Sequence, residues 1–240
     1  MCKCRPLRVS TQQLCNIDRL TGQPGSARGD KTVAQGYHAE FVEGAVSPRQ
    51  FPAESLPEVA FVGRSNVGKS SLLNRLVNQR KMARVSRTPG CTRQINFFRV
   101  GGRWWFVDLP GYGFARVDRE RKETWQRGIG GYLSARRDLR TVVLLLDCRQ
   151  GLTALDREMV DYLTARGLPF RPVATKIDKL KRSQRRRALG DLEQAVAAVG
   201  GWSLGPPLAC SALNGEGIDE LRDWLATLLE SPGQEESPAR

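Results

Sequence analysis

One short stretch of this chain decides its fold: Gly63-Arg64-Ser65-Asn66-Val67-Gly68-Lys69-Ser70. It has the spacing G-x4-G-K-S of a phosphate-binding loop, in which a tight turn directs successive backbone N–H groups at a phosphate. In such a loop Lys69 reaches the β- and γ-phosphates, and the Ser70 hydroxyl coordinates Mg²⁺. The stretch therefore predicts a site for a nucleoside triphosphate and Mg²⁺.

The residues on either side of this loop fit a strand and a helix. Val59-Ala60-Phe61-Val62 is a short apolar run suited to a buried strand. Residues 70–77 begin a helix, and the positive end of a helix dipole favours a phosphate at its N-terminus. This order of strand, loop and helix favours a nucleotide site over a glycine-rich turn without a ligand.

Length, hydropathy and charge narrow the class of protein. A chain of 240 residues with 40% hydrophobic content buries one substantial core, in one domain or at most two. Apolar runs such as Val142–Leu146 are far too short to cross a bilayer, and no signal-peptide apolar region follows Met1. We therefore expect a soluble, cytoplasmic protein without a membrane span. Its net charge of +13 indicates a polyanionic partner.

The ends of the chain differ in composition from its middle. Residues 1–36 are polar, rich in Gly and Arg, and without periodicity, and residues 231–240 form a short tail of similar character. Both are predicted to be disordered. The leader leaves three interpretations open: a bacterial extension, a miscalled start codon or an organellar transit peptide.

Between these ends, strand-like runs alternate with helix-like segments, which predicts an α/β fold. Gly101-Gly102 between two strand-like runs predicts a hairpin, so the sheet should be mixed but mostly parallel, with helices on both faces. Nucleotide-binding loops belong at the carboxyl ends of such strands. Six strands are predicted, at 59–62, 95–100, 103–108, 141–147, 170–175 and 208–210. Besides the helix after the phosphate loop, helices are predicted at 118–136, 153–165, 183–199 and 218–229.

A second motif, Asp108-Leu109-Pro110-Gly111, follows one of these strands. An aspartate that ends a strand near the phosphates can hold Mg²⁺ through water, and the Gly111 N–H can contact a γ-phosphate. By itself, this motif is equally compatible with an ordinary turn.

A third motif, Thr175-Lys176-Ile177-Asp178, predicts recognition of guanine. The Asp178 carboxylate can accept hydrogen bonds from guanine N1–H and the N2 amine, a donor pair that adenine lacks, while the Lys176 stem lies over the base. Ser211-Ala212 can present backbone N–H groups to guanine O6. Each motif alone fits a strand end or a loop, but their order and spacing together indicate a guanine nucleotide.

These motifs resemble the EngB (YihA/YsxC) family of TRAFAC-class GTPases, in the TrmE–Era–EngA–YihA–Septin group. The likeness covers about residues 36–230 and rests on the segments GRSNVGKSS, RTPGCTRQINFF, DLPGYGFA, TKIDK and SA, with the run into the first strand. It implies a P-loop NTPase G domain at residues 37–230, GTP binding, and slow, Mg²⁺-dependent hydrolysis. It also implies a role in maturing the large ribosomal subunit and in normal septation during cell division.

The resemblance further implies roles for single residues. Thr92 would be the first-switch threonine that joins Ser70 at Mg²⁺, with Asp108 acting through water, and Lys69, Thr92, Gly111 and Asn66 would serve catalysis. Thr175 stands where other G domains usually have Asn, so one amide donor is lost. The nucleotide-binding residues implied are Gly63, Arg64, Ser65, Asn66, Val67, Gly68, Lys69, Ser70, Ser71, Pro89, Gly90, Cys91, Thr92, Asp108, Leu109, Pro110, Gly111, Thr175, Lys176, Ile177, Asp178, Cys210, Ser211 and Ala212.

The catalytic water raises a separate question. Many GTPases place Gln after the second-switch glycine, but this chain has Tyr112, which is a poor orienter of water. Related GTPases with an aromatic residue there use a monovalent cation, held partly by a phosphate-loop Asn. Asn66 occupies that position, so the resemblance implies K⁺ as a cofactor; the alternative is that Asn66 is only a turn residue.

A basic segment carries six cations and no anion within residues 179–187. Arg182, Arg185 and Arg186 fall on one helical face. The segment is either a solvated face or a phosphate-binding surface, and the overall charge favours the latter. Contacts would be to RNA phosphate and shape rather than to bases. We expect a monomer that binds the large ribosomal subunit or its rRNA through this surface.

Two other functions compete with a GTPase. A small-molecule kinase would need an acceptor-binding lid and would leave the third motif without a purpose. An RNA-binding module with a vestigial nucleotide site conflicts with the intact Lys69, Ser70 and Asp108.

Overall fold

The computed structural model describes residues 37–79, 82–83, 94–113, 128–136 and 138–231. Its sheet has seven strands in the order β1-β3-β4-β2-β5-β6-β7. The strands are β1 Ala39–Ala45, β2 Glu58–Gly63, β3 Ile95–Val100, β4 Trp104–Asp108, β5 Leu139–Asp147, β6 Phe170–Thr175 and β7 Leu208–Ala209. The helices are α1 Lys69–Leu76, α2 at 128–135, α3 Ala154–Thr164, α4 Arg182–Val199 and α5 Ile218–Glu230.

The pairing confirms a mixed, mostly parallel sheet. Strands β4, β2, β5, β6 and β7 run parallel to one another, whereas β3 is antiparallel to both β4 and β1. The predicted hairpin joins β3 to β4, and its glycines Gly101 and Gly102 have φ angles of 59° and 69°. Only glycine adopts this left-handed conformation without steric cost, which is why the pair could be recognised as a turn.

The prediction of six strands is wrong by one, because β1 adds an edge strand. The middle of β1 is exposed, and Glu40 and Glu43 interrupt its apolar character, so it lacks the pattern of a core strand. Its backbone pairs with β3, and the Phe41 ring packs edge-on against Phe98 with 5.7 Å between centroids. An edge strand covered on neither face is defined by these backbone hydrogen bonds more than by hydropathy.

Both faces of the sheet are buried under helices, as predicted. Side chains alternate along the central strands, so that Val62 and Leu144 face one layer while Phe61 and Leu145 face the other. The first layer contains α2, α3 and α4, and the second contains α1 and α5. Strands buried on both faces show continuous apolar runs, which explains the uninterrupted run Val142–Leu146 in β5.

A buried arginine of α5 holds the far end of α1. The Arg222 guanidinium donates to the carbonyl of Leu76 at 2.8 Å and to that of Arg75 at 2.7 Å. These carbonyls lie in the last turn of α1, where they lack partners within the helix. Arg222 therefore fixes the helix that carries Lys69 and Ser70 at its other end.

Several predictions fall outside the described residues. These are the disorder of residues 1–36, that of the tail from residue 232 onward, and the first part of the helix predicted at 118–136, of which only 128–135 is described. Within the described ranges, no helix is both long enough and apolar enough to cross a membrane.

Candidate functional site

The phosphate loop turns sharply between β2 and α1. Gly68 precedes the first turn of α1 with φ of 105°, and Asn66 has φ of 65°, so two residues of the loop are left-handed. A Cβ on Gly63 would lie 2.9 Å from the Val67 side chain and 3.0 Å from the Leu145 carbonyl oxygen. The loop therefore begins in close contact with β5, at the carboxyl edge of the sheet where ligands of α/β folds bind.

Lys69 and Asp108 meet beside this loop. The Lys69 ammonium contacts the Asp108 carboxylate, and both side chains are buried. Ser70 follows Lys69 in the first turn of α1. A hydroxyl and a carboxylate suit Mg²⁺, which prefers oxygen ligands and is held in nucleotide sites by few side chains together with phosphate oxygens. In the described part of the chain, no group of three or more His, Cys, Asp or Glu side chains is placed to hold a metal ion.

The second motif lies directly against the phosphate loop. The Ser65 N–H donates to the Tyr112 carbonyl at 2.9 Å, and the Tyr112 N–H donates to the Gly63 carbonyl at 3.2 Å. A Cβ on Gly111 would lie 3.2 Å from the Ser65 nitrogen and 3.2 Å from its Oγ. Gly111 therefore approaches the loop more closely than a residue with a side chain could without displacing it.

The Tyr112 side chain is buried and hydrogen-bonded at its tip. Its hydroxyl donates to the Asp156 carboxylate at 2.8 Å. Burial, with this carboxylate beside it, raises the pKa of the Tyr112 hydroxyl well above its ordinary value. The hydroxyl stays protonated at neutral pH and is committed to Asp156 as a donor.

The third motif is hydrogen-bonded to the phosphate loop. Thr175 Oγ1 lies 2.7 Å from the Val67 carbonyl oxygen and 3.1 Å from that of Leu146. The Lys176 ammonium donates to the Asn66 carbonyl at 2.6 Å. Motifs separated by about a hundred residues in sequence therefore form one continuous surface.

Asp178 and Ser211 face each other at the proposed base pocket. The Ser211 hydroxyl donates to the Asp178 carboxylate at 2.7 Å, and this hydrogen bond, with smaller contributions from Lys179, lowers the pKa of Asp178. The Ser211 N–H donates to the Glu216 carbonyl at 2.9 Å, so it is not directed at a base. Of the two backbone amides predicted to reach guanine O6, only that of Ala212 is left for this role.

Sequence reasoning missed three polar residues that organise the site. Asp147 ends β5 and accepts hydrogen bonds from Lys176 at 3.0 Å and from the Arg149 guanidinium. Burial acts to raise the pKa of Asp147, but these cationic donors outweigh it and lower that pKa. Its position at the end of a buried strand, like that of Asp108, was a signal that could have found it. The other two are Asn74 and Asp156.

Asn74 of α1 is buried and holds the chain where it leaves that helix. Its side-chain amide donates to the Ala83 carbonyl at 2.9 Å and accepts from the Ala83 N–H at 2.7 Å. Ala83 precedes the segment of the predicted first switch. The switch residues Pro89, Gly90, Cys91 and Thr92 lie outside the described residues.

The basic segment lies at the start of α4 and is not uniform. Arg185 is half-buried and pairs with Glu216 at 2.5 Å. Arg182 and Arg186 are exposed, and among the described residues neither has a carboxylate partner. Arg182 and Arg186 are therefore available to a polyanion, whereas Arg185 is committed to the loop that also bonds Ser211.

Comparison with known proteins finds a matching family model and relatives that span most of the chain. A family model described as a 50S ribosome-binding GTPase matches residues 58–176. The chain is 45% identical over 197 residues to the probable GTP-binding protein EngB of Pelotomaculum thermopropionicum, covering 82% of this chain and 98% of the relative. It is 44% identical over 191 residues to that of Thermotoga maritima, covering 80% and 96%.

Solved structures share the fold. A crystal structure of a probable GTP-binding protein EngB superimposes with a TM-score of 0.58 at 23% identity, covering 73% of this chain and all, 100%, of that one. Era in complex with MgGDPNP and a segment of 16S ribosomal RNA superimposes with a TM-score of 0.57 at 24% identity, covering 75% and 58%.

Proposed function

This chain belongs to the EngB family of GTP-binding proteins and is a P-loop GTPase, and we propose that it assists assembly of the large ribosomal subunit. Membership of a GTP-hydrolysing family sets aside both a small-molecule kinase and a vestigial nucleotide site. The observation that carries the chemistry is the contact of three motifs: Thr175 and Lys176 bond the phosphate loop, and Asp108 contacts its lysine. A role in septation during cell division is part of the same proposal.

Binding of GTP with Mg²⁺ would use the residues already described. The loop amides and Lys69 would bind the phosphates, while Ser70 and Thr92 would ligate Mg²⁺ directly and Asp108 through water. Mg²⁺ neutralises charge on the phosphate oxygens during phosphoryl transfer. The chain's own part is to hold Lys69, buried next to Asp108, and the Gly111 amide at fixed positions around the γ-phosphate.

Guanine would be selected by Asp178. The Ser211 hydroxyl favours its ionised form, and an ionised carboxylate accepts two hydrogen bonds from guanine N1–H and N2. Lys176, oriented by Asp147 and by the Asn66 carbonyl, would cover the base with its aliphatic stem. We place the Ala212 amide at guanine O6.

Hydrolysis has to proceed without a glutamine at the second switch. Tyr112 donates to buried Asp156, so it is not available to orient a water. Asn66 is exposed at the phosphate loop, and we propose that its side-chain amide helps to hold K⁺. A bound K⁺ would supply positive charge near the leaving phosphate oxygens. An arginine finger has this role in other GTPases.

The ribosomal partner would bind at the exposed cations of α4, Arg182 and Arg186. The family model's description as ribosome-binding supports a ribosomal partner, as does Era, a protein of the same fold solved with a segment of 16S ribosomal RNA. The place of contact is our proposal and rests on the two exposed cations. Binding through phosphates predicts that the logarithm of the affinity falls linearly with the logarithm of the salt concentration.

The test is sedimentation with large ribosomal subunits in GTP, in GDP and in a non-hydrolysable GTP analogue. Arg182→Glu with Arg186→Glu should reduce co-sedimentation and flatten its salt dependence while leaving GTP affinity unchanged. The control reverses the same amount of charge elsewhere, with Arg49→Glu and Arg166→Glu. Arg185 is left intact because its loss would disturb Glu216 and the base pocket. Equal sedimentation of the two double variants would refute the basic surface as the ribosome contact.

A further inference from the structure

The carboxylate of Asp156 is completely buried near the N-terminus of α3, with an exposed fraction of 0%. An ionisable group at such a depth is kept there only by hydrogen-bonding or charged partners. Its partners come from three separate segments of the chain, two of which belong to the nucleotide site.

The first partner is local. Thr153 caps α3, and its N–H and its hydroxyl donate to Asp156 Oδ2 at 3.0 and 2.6 Å. The Asp156 N–H in turn donates to the Thr153 hydroxyl at 3.4 Å. This reciprocal arrangement is a capping box, which stabilises a helix start. Capping alone engages Oδ2 and needs nothing of Oδ1.

The second and third partners lie in the phosphate loop and the second switch. Oδ1 accepts from the Tyr112 hydroxyl at 2.8 Å, and the Arg64 guanidinium lies 3.4 Å from Oδ2. Arg64 also donates to Gln150. A buried carboxylate therefore binds the side chain of a phosphate-loop residue and that of a second-switch residue at the same time.

The same two residues are neighbours in a backbone bridge. Arg64 and Tyr112 form an isolated parallel pair, through the bonds from Ser65 N–H to the Tyr112 carbonyl and from Tyr112 N–H to the Gly63 carbonyl. Gly111 precedes Tyr112 and packs against Ser65. The side chains held by Asp156 thus secure the short backbone bridge by which Tyr112 joins the phosphate loop.

We propose that Asp156 is a positioning residue for GTP hydrolysis, which fixes Gly111 against the phosphate loop by holding Tyr112 and Arg64. Tyr112 then attaches the second switch to Asp156 and does not take the place of a water-orienting glutamine. The same contact couples α3 to the second switch, since any shift of the N-terminus of α3 moves Oδ1. The inference rests on the proposed contact between the Gly111 amide and the γ-phosphate.

Tyr112→Phe removes only the hydroxyl that reaches Asp156. A hydrogen bond to a buried charge is a strong one, so its loss should speed exchange of the Ser65 amide in the nucleotide-free protein by about tenfold or more. Affinity for a non-hydrolysable GTP analogue should fall about tenfold relative to GDP, and kcat should fall more than KM changes. These effects separate a positioning role from a general loss of stability.

Tyr162→Phe is the matched control. Tyr162 lies in α3, the helix that contains Asp156, and like Tyr112 it has a buried hydroxyl. The Tyr162 hydroxyl, however, has no hydrogen-bond partner among the described residues. The substitution should leave Ser65 exchange and the ratio of the two nucleotide affinities unchanged.

Asp156→Asn and Asp156→Ala complete the test. The amide oxygen of asparagine can accept from Tyr112, but its NH2 group then faces the Thr153 N–H and the Arg64 guanidinium, so the Asn variant should lie between the native protein and the Ala variant. The Ala variant should behave like Tyr112→Phe or worse. Should Asp156→Ala fail to fold, Tyr112→Phe alone still decides. If the Ser65 amide exchanges at the native rate in Tyr112→Phe, Asp156 acts only as a helix cap and the proposal is wrong. Amide exchange is measured without nucleotide, so it tests this attachment even if Gly111 proves not to contact the γ-phosphate.

Discussion

The hydroxyl of Thr175 lies 2.7 Å from the carbonyl oxygen of Val67, so the first residue of the guanine motif is bonded to the backbone of the phosphate loop. Most G domains have Asn at this position. A hydroxyl retains one donor, and in this chain it is directed at the loop. This hydrogen bond, together with that from Lys176 to the Asn66 carbonyl, would therefore align the proposed base pocket with the phosphate loop.

Thr175→Val should weaken GTP and GDP binding to the same extent. The substitution keeps the shape of the side chain but removes the one hydroxyl proton that the Val67 and Leu146 carbonyls share, at a cost of about 1 kcal/mol, or roughly fivefold in affinity. Titration with fluorescently labelled GDP measures this affinity. Thr175→Ser keeps the hydroxyl and should bind as the native protein does. If Thr175→Val binds equally well, the hydrogen bond does not align the pockets.

Asp178→Asn should exchange guanine specificity for xanthine. In our proposal the native carboxylate accepts from guanine N1–H and N2, and losing a charge-assisted pair costs about 1.5–3 kcal/mol or more. Competition of GTP, XTP and ATP against a labelled nucleotide measures the preference. Native protein that binds ATP as well as GTP would contradict the assignment of Asp178.

Asn74→Leu should destabilise the protein and loosen the chain after α1. The variant leaves the N–H and the carbonyl of Ala83 unpaired in a buried position, which costs about 1–3 kcal/mol. Urea denaturation measures the loss of stability, and limited proteolysis reports earlier cleavage after residue 83. A variant with native stability and native cleavage would show that these two hydrogen bonds do not anchor the segment.

Stability should decline in alkali above about pH 10. Burial raises the pKa of both Tyr112 and Tyr132 well above the ordinary value, so the folded state keeps two protons that the unfolded state releases near pH 10. Because the unfolded state then binds fewer protons, the free energy of unfolding falls as pH rises, by up to about 1.4 kcal/mol per pH unit for each group. Urea denaturation from pH 8 to 11 should show a shallower decline for Tyr112→Phe with Tyr132→Phe. Equal slopes would contradict the prediction.

GTP hydrolysis should be faster in K⁺ than in Na⁺ at matched ionic strength. The added charge should contribute roughly tenfold or more, below the 10³–10⁵ range of a true arginine finger. Asn66→Ala should lose the stimulation and keep the rate observed in Na⁺. A native rate that is indifferent to the cation would end this hypothesis.

Parts of the site with a sequence signature could be predicted, and parts defined by partners could not. The phosphate loop, the Gly101-Gly102 turn and the strand that ends at Asp147 follow from spacing, backbone conformation and continuous apolar runs. By contrast, β1 is an exposed edge strand defined by its backbone partner. The commitment of the Ser211 amide to Glu216 depends on how a loop folds back, which no local pattern records.

Asp156 shows the same limit at a single residue. In the sequence, Thr153 and Asp156 have the spacing of a capping box, which explains both residues without a further role. Only the fold brings Tyr112 to the second carboxylate oxygen and Arg64 to the oxygen that Thr153 already engages. Long-range contacts of this kind give one residue two functions, and sequence patterns reveal only the local one.

The hydrogen bonds from Arg222 to the end of α1 have a consequence for synthesis of the protein. Ribosomes make the phosphate loop early, but the partner that fixes its helix, and Ser211 beside Asp178, come from the last part of the folded chain. A nascent chain that ends before residue 211 lacks both partners, so the Leu76 carbonyl has no donor from α5 and the proposed base pocket is without its serine. We expect a chain truncated before Arg222 to bind nucleotide more weakly than the full-length protein, because the end of α1 is then not held.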